Sequence, residues 1–114
     1  MLDYTIEKLP GGRAVFRLSG RLDANTATTL KDALKSAAAD YATHLVIDLA
    51  DLGFIDSSGL STLVSGFKAV REKNGGLALT NVGPQVKVAL ELTRLDQIIP
   101  IYADIASALT SFDM

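Results

Sequence analysis

The chain changes its spacing of apolar and polar residues several times, and each change predicts an element. Leu2, Tyr4 and Ile6 alternate with Asp3, Thr5 and Glu7, the period of a strand with one covered face. Leu9-Pro10-Gly11-Gly12-Arg13 predicts a turn, after which Ala14, Phe16 and Leu18 alternate with Val15, Arg17 and Ser19. The two runs together predict an antiparallel hairpin. The spacing then lengthens, with Leu30, Ala33, Leu34, Ala37 and Tyr41 on one face of a helix that Asp23 or Asn25 is placed to cap.

The richest stretch runs from His44 to Leu60. His44–Leu49 is a short apolar run rich in β-branched residues, and a turn follows it. From there Leu60, Leu63, Val64, Phe67 and Val70 share one helical face, while Ser61, Ser65, Lys68 and Glu72 take the other, solvated one. This is a strand feeding a helix. The helix is predicted to start near Ser57 and Ser58, because a serine oxygen at the N-cap accepts a bond from a first-turn N–H that otherwise lacks a partner. Asp56 can accept bonds from the same turn. Both serine hydroxyls therefore sit where the chain must surface. A phosphate there would face free N–H donors and the positive end of the helix dipole, so modification need not disturb the core. The bland alternative for Ser57 is an ordinary helix cap with no regulation.

Asn74-Gly75-Gly76 ends that helix with a residue able to take positive φ. Gly76–Val82 predicts another strand, and Gly83-Pro84 opens a helix with Val86, Ala89, Leu90 and the later Leu95 on its buried side. Ile98–Tyr102 predicts a short edge strand, since Pro100 cannot donate to a central ladder. Asp104 caps a last helix with Ile105, Ala108, Leu109 and Phe112 at core spacing. The expected fold class is α/β, one domain over residues 1–114, with a mostly parallel sheet, an antiparallel N-terminal strand and about four helices.

Composition narrows the chemistry. With 114 residues and no cysteine, disulfides, thiolate catalysis and cysteine-ligated metals are excluded. A net charge of −2, from 11 basic and 13 acidic residues without a basic run, offers no electrostatic reason to bind nucleic acid or an anionic membrane. Met1–Thr5 lacks the regions of a signal peptide and no apolar run approaches the ~20 residues of a membrane helix, so a cytoplasmic location is expected. A monomer is the simpler expectation, because no apolar stripe is left over. The lone histidine, His44, begins the strand that leads toward Ser57, which predicts an exposed strand-end residue too distant to serve as the base of a hydrolase. A phosphoaspartate receiver site at Asp56 would need magnesium held by several carboxylates, and neither Lys8-Leu9-Pro10 nor Ser19-Gly20-Arg21 supplies them. Gly11-Gly12 and Gly75-Gly76 open no helix in a phosphate-loop arrangement and are turns. No cofactor and no catalytic residue is expected.

Asp56-Ser57-Ser58-Gly59-Leu60 after an apolar strand resembles the anti-sigma factor antagonists of bacteria, whose domain is called STAS. Gly20-Arg21-Leu22-Asp23 is similar to the family's Gly-x-Leu-Asp stretch. The strand followed by Pro84, Val86-x-x-x-Leu90 and Leu95 is similar to its later part, so the likeness spans nearly the whole chain. The resemblance implies a regulatory binding module that is not an enzyme. It makes Ser57 the acceptor of a phosphate from a partner that is both an anti-sigma factor and a serine kinase, with a serine phosphatase to reverse the step. Unmodified, the chain would bind that partner and release the sigma factor. Asp23, Asn25, Asp56, Ser57, Ser58, Gly59 and Leu60 are the implied contact residues, Asp23 serving as cap, contact or both. Two rival readings stay open. One is a STAS subunit of a lipid-transport complex that partners an ATPase, and the other is a scaffold in a larger signalling assembly.

Overall fold

β1 (Leu2–Leu9) and β2 (Arg13–Leu22) pair antiparallel, from Leu2 opposite Gly20 to Leu9 opposite Arg13. Pro10-Gly11-Gly12 reverses the chain between them, with both glycines left-handed at φ +83° and +74°. Strands and helices then alternate through α1 (Ala27–Asp40), β3 (His44–Ile55), α2 (Ser57–Arg71), β4 (Gly76–Thr80), α3 (Pro84–Leu92), β5 (Ile101–Tyr102) and α4 (Ile105–Ser111). The computed structural model describes residues 1–113. Its five strands lie in the order β1-β2-β3-β4-β5, and every pair after the first is parallel. The expected α/β class, with an antiparallel first strand and four α-helices, is the class observed. No helix among the described residues is long and apolar enough to cross a membrane.

Each crossover moves the chain one strand in the same direction, which puts α1, α2 and α3 on a single face of the sheet. There Leu30, Leu34, Leu63, Val70, Val86 and Leu90 close over Phe16, Leu45, Ile47, Leu77 and Leu79. The opposite face presents Val15, Val46 and Ala78, and α4 covers it through Ala108 with Ile105, Leu109 and Phe112. Complete burial stabilises each large apolar side chain by about 1.5–3 kcal/mol, so the three-helix face carries most of the cohesion.

Several local expectations are corrected. β3 does not stop at Leu49. It stays paired with β2 as far as Ile55 through two register shifts, while β4 ends at Thr80 opposite Asp48. Asn74-Gly75-Gly76 does end α2 as expected, with Asn74 the residue that takes positive φ, at +60°. The expected strand over Ile98–Tyr102 shrinks to Ile101–Tyr102, because the Ile98 and Ile99 N–H groups donate back to Leu95 O and close the 3₁₀ turn that follows the left-handed Arg94, at φ +62°. His44 does begin a strand but is half-buried, its ring 4.7 Å from that of Phe112 and its Nδ1 3.0 Å from Thr43 Oγ1. An apolar stripe is also left over. Val88 and Leu92, four apart on α3, are exposed at 53% and 80%, and Ile98 is exposed at 57%.

Candidate functional site

β2 and β3 end side by side, with Leu22 opposite Ile55. The chain therefore leaves the sheet twice at adjacent points, once through Asp23–Thr26 into α1 and once through Asp56 into α2. Asp56 joins the two exits. Its backbone N–H donates to Leu22 O at 3.2 Å, and its carbonyl accepts from Leu60 N at 2.9 Å. One carboxylate oxygen accepts from Gly59 N at 3.0 Å and the other from Ala24 N at 3.2 Å.

Asp56, with extended backbone, is thus the N-cap of α2, and the serine cap expected at Ser57 or Ser58 is corrected. Ser57 is already the first helical residue. A carboxylate in the extended position just before it reaches the N–H of the third helical residue, the bond that an N-cap serine would otherwise make. Gly59 is required by packing. A Cβ there would lie 2.6 Å from both Ile55 Cγ1 and Leu22 O, closer than any side chain can sit. One turn further, Thr62 Oγ1 donates to Ala27 O at 3.2 Å and holds the first turn of α1 against α2.

The cap expected for α1 is corrected as well. Neither Asp23 nor Asn25 caps it. Thr26 occupies the N-cap position without a side-chain bond to the helix, its hydroxyl donating to Arg21 O at 3.0 Å and accepting from Asp23 N at 3.0 Å. Asp23 instead folds its own turn. Its carboxylate accepts from Asn25 N at 3.0 Å, and its carbonyl accepts from Thr26 N and Ala27 N. Arg21 lies 3.7 Å from the Asp23 carboxylate and 4.1 Å over the Phe54 ring, a cation beside the loop.

The residues marked by the sequence are brought together but do not all reach the surface. Ser57 and Asn25 are exposed, Asp23, Asp56 and Ser58 are partly covered, and Gly59 and Leu60 are buried beneath them. Among the described residues neither the Ser57 nor the Ser58 hydroxyl makes a hydrogen bond. The site thus offers a free primary alcohol on a braced backbone, and no side-chain base touches it. His44 stands at the other end of β3.

Sequence reading missed one brace altogether. Because β4 stops opposite Asp48, the far edge of β3 has no strand beside Ile55 among the described residues. Gln85 of α3 takes that place, its amide donating to Ile55 O at 3.0 Å and accepting from Ile55 N at 2.9 Å. Nothing in the spacing around Gln85 marks it, since the bond depends on where β4 ends. Thr62, missed too, carried only the faint signal of a polar residue inside an apolar stripe.

The architecture is that of a small α/β domain that presents two neighbouring loops at the carboxyl ends of its central strands, with a hydroxyl between them. The STAS domain family matches residues 4–108, and the chain belongs to that family. It is 34% identical over 104 residues to an anti-sigma F factor antagonist of Paenibacillus polymyxa, covering 90% of this chain and 89% of that protein. An anti-sigma-B factor antagonist of Bacillus subtilis is 33% identical over 86 residues, 75% of this chain and 78% of the relative. The crystal structure of an anti-sigma factor antagonist from Mycobacterium paratuberculosis superimposes with a TM-score of 0.85 at 32% identity, covering 100% of this chain and 96% of that one.

Proposed function

We propose that this chain is an anti-sigma factor antagonist, a binding module of the cytoplasm that is switched by phosphate on Ser57. The observation that carries the reading is the division of labour in Asp56-Ser57-Ser58-Gly59. Asp56 and Gly59 are engaged by the fold, while the Ser57 hydroxyl is exposed and unbonded. The names of the relatives support the partner class.

Unmodified, the surface formed by Asp23, Asn25, Asp56, Ser57 and Ser58, with Gly59 and Leu60 shaping it from below, docks on an anti-sigma factor that is also a serine kinase. The sigma factor is thereby released. The kinase then transfers a phosphoryl group to Ser57, adding about −1.5 to −2 charge beside Asp56 and Asp23. In a close interface that charge brings repulsion and desolvation, and about 3 kcal/mol of lost affinity weakens binding on the order of a hundredfold. A serine phosphatase restores the competent form. No change of fold is needed, because the hydroxyl holds no part of the structure together.

The test pairs kinase and binding assays. With the cognate kinase and ATP, Ser58→Ala takes up phosphate and Ser57→Ala does not. Uptake by Ser57→Ala at the wild-type rate overturns the assignment. In calorimetry against the anti-sigma factor, Ser57→Asp binds about tenfold or more weaker. Wild-type affinity for that variant overturns the charge mechanism.

A further inference from the structure

Beside Ser57, the crevice between α1 and α2 opens into a depression of about 340 Å³, with Thr28 and Lys31 on the α1 side and Ser57, Ser58 and Ser61 on the α2 side. Lys31 is the one charged residue of its wall, and among the described residues its ammonium pairs with no carboxylate. Three features place it near Ser57. Both helices start at the carboxyl ends of adjacent parallel strands, so their first turns lie together. Side chains on a helix lean toward its N-terminus, which tips Lys31 back toward that shared end. The Thr62–Ala27 hydrogen bond of 3.2 Å keeps α1 from drawing the lysine away.

We infer that Lys31 is the residue that pairs with a phosphoryl group on Ser57. The inference rests on the reading of Ser57 as a modified residue and adds what receives the modification. A phosphoserine dianion offers strong acceptor oxygens, and a lysine ammonium with three donors on a flexible stem meets them as a compact point charge. In the phosphorylated chain the Lys31 ammonium donates to a phosphoryl oxygen over the depression. The modified state is stabilised locally, and Lys31 is withdrawn from any contact with a partner.

The other charged groups of the two junctions are Asp56, next to Ser57 in the chain, and Asp23 with Arg21 in the β2–α1 turn. All three stay constant when Lys31 alone is changed. Lys35, one turn along α1, lines a separate groove with Lys68 and Lys73 and serves as the control.

The experiment installs phosphoserine at position 57 during translation and follows its ³¹P resonance from about pH 4 to pH 8, across the second phosphate ionisation near pH 6. Lys31→Gln raises that pKa by about half a unit, roughly a threefold gain in proton affinity, because the dianion loses a neighbouring cation. Lys31→Arg keeps the wild-type curve and Lys35→Gln moves it by less than half as much as Lys31→Gln. A Lys31→Gln curve that superimposes on wild type overturns the pairing, and so does a Lys35→Gln shift of equal size. Because no kinase is used, failure here leaves the kinase reading standing, and failure of the kinase assay leaves this result intact.

Discussion

The starts of α2 and α4 use the same local device and do different things with it. Each is capped by an aspartate with extended backbone whose carboxylate accepts from the N–H three residues on, Asp56 from Gly59 at 3.0 Å and Asp104 from Ser107 at 2.7 Å. At α4 the carboxylate, among the described residues, bonds to Ser107 only. At α2 the second oxygen of the cap crosses to Ala24, 32 residues away, and the capped residue is a glycine pressed against Leu22 and Ile55. The residue after the cap differs too. It is the half-buried Ile105 at α4, packed toward the sheet, and the exposed Ser57 at α2. A capping signal is local, but what it orders depends on the strand pairing beside it.

The sharpest way to break this comparison is to place alanine at the third helical position of each helix. Gly59→Ala forces a methyl group into a backbone carbonyl and is expected to destabilise the chain by about 2–3 kcal/mol, the upper range for overpacking. Ser107→Ala at the matching position of α4 meets no steric block and gives up only an exposed side-chain bond to Asp104, so it stays within about 1 kcal/mol of wild type. Urea denaturation decides, and equal stabilities for the two variants would show that the α2 junction is not braced as described.

A smaller effect is expected from the cap itself. Asp56→Ala removes acceptors from two chain segments and costs about 1–2 kcal/mol. Amide exchange then accelerates at both Ala24 and Gly59, whereas Asp104→Ala accelerates exchange at Ser107 alone. If Ala24 keeps its protection in Asp56→Ala, the link between the two loops is not made by this carboxylate.

The smallest effect separates the caps by pH. The bond from the Ser107 backbone N–H, then that from its side chain, holds the Asp104 carboxyl below the usual aspartate range. A carboxyl whose pKa is lower folded than unfolded contributes stability that is full above the unfolded value and lost as pH falls through the folded one. Amides in the first turn of α4 should therefore lose protection at the acid end of the aspartate range. Asp104→Asn should remove that acid step, and a step unchanged in this variant would assign it elsewhere.

Much of this could be read from spacing. The alternation of Leu2, Tyr4 and Ile6 with their polar neighbours, the face of Leu30, Leu34 and Ala37, and the cap at Asp104 all report interactions within a few residues of chain. The errors share a cause. Asp23 and Asn25 are sound caps by residue type, but the loop they occupy is shaped by Leu22 and Asp56, and its hydrogen bonds went into the turn instead. Serine is a sound cap as well, yet Asp56 stood one residue earlier in the geometry that reaches Gly59. β3 ran past Leu49 because β2 kept pairing with it through two bulges, a matter no alternation within β3 reveals.

The sequence by itself determined the order of elements and the place of Ser57 at the hand-over from a central strand to its helix, since periodicity, turns and caps are short-range physics. Only the tertiary structure decided that Asp56 would bind Ala24, that Gln85 would stand in for a missing strand at Ile55, and that Lys31 would wall the depression beside Ser57. These depend on the register of parallel strands, which brings together residues about thirty positions apart. Parallel pairing is set by burial over the whole sheet and leaves no mark in any short window of the chain.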